Sequence, residues 1–294
     1  MDAKPNLSKL AKHFSDETAA RKLLESMRWP NGAACPKCGG ADPYRLEAKP
    51  ESKNPVRPGV WKCRACRAQF TVTVGTIFED SHISLSKWLL AVHLLCASKK
   101  GMSAHQLHRM LGITYKSAWF MAHRLRYAMS QEPLASKLRG TVEMDETYVG
   151  GKRKYGMGRP PAGDKQKTPV VALVERGGRV RAFPMPQVTS ANIRKAIAEH
   201  IDFERSELMT DESNLYAGYN AGIMPHGTVN HSAGEYVRGR AHTNTVEGFF
   251  SLLKRGIVGT YHHISKGHTA RYCDEFAFRY TTRHIEDGER AVLV

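Results

Sequence analysis

"TVEMDETYVGGKRKYGMGRP", residues 141–160, sets an acid pair, Asp145 and Glu146, at the end of an apolar and polar alternation and follows it at once with a glycine-rich basic run. Val142 and Met144 give the period-two pattern of a strand with one buried face. A carboxylate at the edge of such a strand, followed by Lys152, Arg153, Lys154 and Arg159, has two readings. One is a salt-bridged hairpin. The other is a metal-binding acid with a polyanion held over it by the cations.

Composition bears on that choice. Lys and Arg outnumber Asp and Glu by 44 to 28 in 294 residues, a formal charge of +16, and the excess is spread along the chain. Such a balance favours a polyanionic partner, of which nucleic acid is the commonest, over a merely basic soluble protein. No run approaches about 18 apolar residues, so no membrane partner is expected. The start "MDAKPNLSKLAKHF" has no apolar signal core, which points to a cytoplasmic, nucleoid-associated protein.

The chain divides at about 80 and 135 into three units. In the first, residues 8–28 read as a helix with Leu10, Phe14, Leu23, Leu24 and Met27 as its apolar members, ended by Pro30 and Gly32. In the second, 81–135, the pattern is helical from His82 to Met129 with breaks near 99–106 and 111–115. The third, 136–294, starts strand-like: 141–186 alternate, with a hairpin about Gly177 and Gly178. Residues 189–202 look helical, "SELMTDE" (206–212) reads as a short buried strand, and 242–255 and 266–283 read as helices.

Four of the six cysteines form two CxxC pairs, Cys35 with Cys38 and Cys63 with Cys66, separated by 24 residues. Each CxxC knuckle aims two thiolates at one point, and two knuckles complete a tetrahedral sulfur shell for structural Zn(II). Lys37, Lys62, Arg64 and Arg67 around the knuckles either touch phosphates or are simply solvated. Cys96 and Cys273 sit alone in helix-like segments and are expected in the core. "SAHQLHRMLGITYKSAWFMAHRLRYAM" (103–129) has the form helix, turn at Gly112, helix. It fits a helix-turn-helix whose second helix would bring Lys116, Arg124 and Arg126 to the major groove, or an ordinary helical hairpin. The neighbouring ribbon favours DNA.

Asp145 and Asp211 stand at the ends of the buried strand patterns, and Glu247 lies in the helix "HTNTVEGFFSLLKR", with 35 residues between it and Asp211. Phosphoryl transfer with two divalent ions needs carboxylates from different elements to converge, with the metals roughly 4 Å apart. Mg(II) suits such a site because water and phosphate oxygens complete its octahedron. Each acid alone is more commonly a cap or a salt-bridge partner.

Together, "MDETYVGGKRK", "LMTDES", "HTNTVEGFFSLLKRGIVGTYHHIS" and "CDEFAFRY", preceded by the CPxC and CRxC pairs and "FTVTVGTIFEDSHISLSKWLLA", resemble the IS1595 (ISXO2-like) family of bacterial transposases with a DDE-type catalytic domain. The resemblance runs from about residue 15 to 284. It implies an α/β, RNase H-like mixed sheet over 136–294, with the first acid on the first strand, the second after the fourth and the third on a following helix. Asp145 and Asp211 take the first two positions. The family places Glu or Asn third, followed by a basic residue. Glu247 with Lys254 is chosen here, and Asn244, one helical turn before Glu247, is a neighbouring contact. Phe250 stands where the family has Trp, and Thr281 where it has Asn.

The resemblance further implies Mg(II) or Mn(II) at the acids. It also implies double-stranded DNA, as element ends and target, for a homo-oligomer to cleave and join. The alternatives are a non-catalytic DNA-binding regulator derived from a transposase, and an RNase H-like nuclease without strand transfer.

Overall fold

The computed structural model describes residues 16–47, 54–131, 136–150, 167–216 and 224–294. Helix α1 (Glu17–Arg28) starts where the Asp16 side chain accepts from Ala19 N, and it buries Ala20 and Leu24. A three-stranded antiparallel sheet follows, β1 (Pro43–Arg45), β2 (Trp61–Cys63) and β3 (Gln69–Phe70), in the order β1-β2-β3. It leans on α1 through Trp29, whose ring meets Trp61 and Phe70 edge-on, and through Glu25, which pairs with Arg45 at 2.5 Å.

Three helices come next: α2 (Leu85–Ala97), α3 (Ala104–Leu111) and α4 (Tyr115–Ala128). Ser103 and Thr114 cap α3 and α4 by accepting from Gln106 N and Ser117 N, and Gly112 ends α3 in the left-handed conformation (φ 58°). Trp88, Leu95, Leu107, Met121 and Leu125 form the centre of this helical core. Cys96 lies in it fully buried, and Cys273 is buried in the core beside the large sheet.

The large sheet contains β4 (Leu138–Val149), β5 (Thr168–Glu175), β6 (Val180–Pro184), β7 (Ile201–Asp211) and β8 (His226–Val229), in the order β6-β5-β4-β7-β8. β5 is antiparallel to both β4 and β6, whereas β7 is parallel to β4 and β8 is parallel to β7. Numbered within the sheet this is 3-2-1-4-5, a mixed, RNase H-like sheet. Helix α5 (Ser190–His200) covers one face, over Val142, Met144, Val171, Leu173 and Leu208. Helices α6 (Asn244–Gly256) and α7 (Thr269–Thr281) cover the other, over Val149, Val170, Ala172 and Val174. Fully burying each of Leu253 and Phe249 on α6 contributes roughly 1.5–3 kcal/mol.

Two expectations shift. The helix expected over 189–202 stops at His200 and β7 begins at Ile201, so the strand expected over 206–212 is 11 residues long. The chain also returns to the helical layer at its end. Helix α8 (Asp287–Val292) packs on α2, and Arg290 Nη1 donates to Cys96 O at 2.8 Å.

The helical layer and the sheet are joined through Glu275 on α7, which has no solvent exposure. It accepts from Arg126 Nε on α4 (2.7 Å), Arg279 Nη2 (2.7 Å) and Tyr261 Oη (2.7 Å). Burial pushes its carboxyl up, but the two guanidiniums and the phenol outweigh that and hold it at about 2. Glu275→Gln leaves Arg126, 2% exposed, without its counter-charge. We expect a loss of about 3–5 kcal/mol at neutral pH, measured by denaturant unfolding. Because the folded carboxyl titrates below its ordinary value of 4.5, the Glu275 contribution is complete above that value and lost as pH falls toward about 2. The gap between variant and parent should close over that window.

Candidate active site and zinc cluster

The two knuckles are built by local backbone geometry. Gly39 at φ +75° lets its N–H reach Cys35 O (2.8 Å), and Arg67 at φ +61° does the same toward Cys63 O (3.1 Å). The turns aim four sulfurs inward: Cys35 lies 3.7 Å from Cys66 and Cys38 lies 3.6 Å from Cys63. A tetrahedron with Zn–S bonds of about 2.3 Å has edges of about 3.8 Å, so the spacing fits Zn(II). The Cys66 N–H, donating to the Cys63 sulfur, is the largest influence drawing that thiol down to about 7, toward the ligating thiolate. Arg64 pairs with Asp42, whereas Lys37 and Arg67 are exposed beside the cluster.

Asp145 and Asp211 lie on adjacent strands in the middle of the large sheet; Asp211 ends β7 as expected, whereas β4 does not end at Asp145 but continues to Val149. On the parallel strands β4 and β7, Glu143 stands opposite Met209, and Asp145 and Asp211 lie two residues further along at the same offset. Strand alternation puts both on the face covered by α6, while Glu146 turns to the α5 side and accepts from Tyr216 Oη at 2.9 Å. Burial pushes the Asp145 carboxyl up to about 7. The charges of Glu146, Asp211 and Glu247 add to the shift, and the Glu146 N–H at 2.7 Å opposes it. Burial also raises Asp211, assisted by Glu212 and opposed by the Ser213 N–H and by His231.

Glu247 lies in the first turn of α6 with its side chain about half exposed; Oε1 accepts from Thr243 Oγ1 at 2.9 Å and lies 4.0 Å from His231 Nε2. Asn244, the first residue of α6, is exposed, as is Lys254 in its last turn. Among the described residues, the cysteines are the only group of three or more ligating side chains whose atoms all lie within 4.8 Å of one another. Asp145, Asp211 and Glu247 do not form such a group. Carboxylate oxygens are hard donors of the kind a divalent cation takes, and burial opposes the ionisation of Asp145 and Asp211.

The basic residues separate sharply. Lys116, in the first turn of α4, is exposed. Arg124 Nη1 is spent on Ile77 O (2.8 Å) and Glu79 O (2.7 Å). Arg126, expected at a DNA groove, is buried against Glu275, because its helix packs that face on α7; a guanidinium 2% exposed cannot reach a phosphate. Lys152, Arg153, Lys154 and Arg159 lie outside the described residues. Glu143 and His231, which the structure places beside the acids, went unnoticed in the sequence. The available sign was a charged residue between Val142 and Met144, on the inward face of a buried strand.

An RNase H-like sheet with acids on its first and fourth strands, preceded by a four-cysteine ribbon, defines the class of protein. The ISXO2-like transposase domain matches residues 137–281 and the transposase zinc-ribbon domain matches residues 15–69, together more than half of the chain. The chain belongs to the IS1595 family of transposases. It is 28% identical over 291 residues to an uncharacterized protein in transposable element ISH50 of Halobacterium salinarum, covering 91% of this chain and 92% of that protein. The crystal structure of the Mos1 strand transfer complex aligns over 69% of this chain and 73% of its own, at 9% identity. Its TM-score of 0.28 is too slight to bear on fold or function.

Purified protein should carry one Zn(II) per chain, and a Cys63→Ser, Cys66→Ser double variant should carry none. Elemental analysis of both proteins after dialysis makes the measurement. Zinc retained by the double variant would place the metal elsewhere.

Proposed function

We propose that this chain is the transposase of an insertion sequence, cleaving DNA at the ends of its element and joining the freed ends to a target. The observation that carries the reading is the placing of Asp145 and Asp211 on adjacent parallel strands, facing the helix that bears Glu247, with each acid's charge felt at Asp145. In the cleavage step a water oxygen attacks phosphorus and the 3′ oxygen leaves, taking a proton to become a 3′ hydroxyl opposite a 5′ phosphate. In the joining step that 3′ hydroxyl attacks a target phosphodiester and displaces its 3′ oxygen.

Asp145, Asp211 and Glu247 would hold Mg(II) or Mn(II). Two such ions supply Lewis-acid activation of the attacking oxygen and stabilise the leaving one. Asp145, half-buried on the central strand, would form one wall of the site. Lys254, exposed two turns beyond Glu247 on α6, is offered to a phosphate oxygen of the bound strand. Asn244 supplies an amide beside the helix start. Lys116 and the basic run at 152–159 supply sequence-independent phosphate contacts, and a homo-oligomer brings two ends together.

Replacing Lys152, Arg153 and Lys154 with Ala should weaken binding to all DNA sequences alike and lower the salt slope by roughly one unit per lost phosphate contact. Binding measured across a salt series tests this. An unchanged slope would mean that these cations are simply solvated.

The third acid has the sharper test, because a carboxylate offsets cation charge and an amide offers only a dipole. Glu247→Gln should lower Mg(II)-dependent strand cleavage a hundredfold or more, about 3 kcal/mol in barrier, with DNA binding intact. Asn244→Ala should lower it less. If Asn244→Ala abolishes cleavage at equal DNA occupancy while Glu247→Gln retains most of it, the third position is the asparagine. Cleavage untouched by both would put the acid chemistry elsewhere, whereas no cleavage by the parent with DNA binding retained would leave a DNA-binding regulator.

A further inference from the structure

Helix α6 begins without the cap its sequence offers. Thr243 occupies the cap position, yet its hydroxyl makes no bond to the N–H groups of the first turn. Those groups go to Glu143 on β4, whose Oε2 accepts from Thr245 N (2.7 Å) and Val246 N (3.0 Å), while Oε1 accepts from Thr245 Oγ1 (2.7 Å). Glu143 has no solvent exposure and is held by Arg176 Nε at 2.6 Å, with His242 Nδ1 3.1 Å away. Arg176 also donates to Arg240 O and His242 O, securing the segment that leads into the helix. The freed Thr243 hydroxyl turns to Glu247 and donates to Oε1 at 2.9 Å.

We propose that Glu143 is a positioning residue for Glu247: one strand carries Asp145 and, two residues earlier on the same face, the carboxylate that caps the helix of the third acid. Same-face neighbours on a strand lie about 6.6 Å apart. The start of α6 is thus set at a fixed distance from Asp145 by the strand itself, and the cap carboxylate complements the positive end of the helix dipole. Glu143 also acts through Thr243. With Glu143 on the first-turn N–H groups, the threonine hydroxyl is available to orient Glu247; without it, that hydroxyl is the natural replacement cap. This inference rests on the reading of Glu247 as a metal ligand.

The test is a double-mutant cycle on the full, zinc-loaded chain with Glu143→Gln and Glu247→Gln. It is read as Mn(II) affinity by electron paramagnetic resonance titration without DNA and as strand cleavage at saturating DNA. The amide introduced by Glu143→Gln keeps the shape of the side chain but can no longer accept every donor. We expect Glu143→Gln to weaken Mn(II) binding about tenfold in the parent and less than twofold in the Glu247→Gln background, with faster amide exchange at Thr245 and Val246. Thr243→Val should weaken Mn(II) in the same direction. Equal losses in both backgrounds, or no loss in the parent, would overturn the proposal while leaving the site reading intact. Glu247→Gln without effect on Mn(II) or cleavage would remove the site itself and the proposal with it. If Glu143→Gln does not fold, Thr245→Val, which removes one bond to Glu143, takes its place in the cycle under the same criteria.

Discussion

Helix α6 is held at both ends by carboxylates that never meet water. Glu143 grips its first turn from the central strand. At the other end the chain leaves α6 through a π turn, Ile257–Tyr261, and the Tyr261 hydroxyl donates to Glu275 on α7. Between these anchors Gly256 faces Phe276 so closely that a Cβ there would fall 2.0 Å from the ring. A helix of this length spans roughly 20 Å, and with both ends fixed it can neither slide along its axis nor lift from its neighbour. Glu247, its side chain half exposed, stands on a helix anchored in this way.

The buried acids fall into two kinds. An ion taken out of water without partners loses several kcal/mol, so each buried carboxylate either gathers donors or resists ionising. Glu275 collects two guanidiniums and a phenol and is held at about 2, ionised at any working pH. Asp145 is offered a single neighbouring N–H and three negative charges, and burial carries it up to about 7. Desolvation raises both, the half-buried Asp145 and the fully buried Glu275. For these two residues the direction of the shift follows the donors and charges each one meets.

Much of this was legible in the sequence, and the failures have physical causes. The zinc knuckles and the central strand announce themselves within a few residues, because thiolate spacing and apolar alternation are local signals, although that strand runs on past Asp145 to Val149. Glu143 does not, since its donors Thr245 and Val246 lie 102 and 103 positions away. Arg126 was misread because a basic residue on an amphipathic helix looks solvated until the opposing helix is known, and here α7 supplies a buried glutamate. Strand β8 has no counterpart among the sequence expectations; at four residues it is short, and a Cβ on its Gly227 would crowd Met209 Sδ at 2.7 Å and Ala241 Cβ at 3.2 Å. The junction of α5 and β7 contains no Gly or Pro to mark it: His200 ends one and Ile201 starts the other.

The arginines show how charge composition should be read. Arg28 donates to Val72 O and Val74 O, Arg124 to Ile77 O and Glu79 O, Arg271 to His123 O, Arg283 to Gly178 O and Arg290 to Cys96 O. These guanidiniums cross-link segments distant in sequence, their fixed forks satisfying carbonyls that loops and helix ends leave open. Carbonyl dipoles do not cancel a charge, so each still adds to the field that draws a polyanion, within a Debye length of about 8–10 Å of the surface. Direct contact is a separate matter. It needs a cation free to leave its place, and exposed lysines such as Lys116 and Lys254 meet that condition where Arg124 and Arg126 do not. A net charge of +16 therefore argues for the field, and only the geometry of each side chain argues for the hand that touches phosphate.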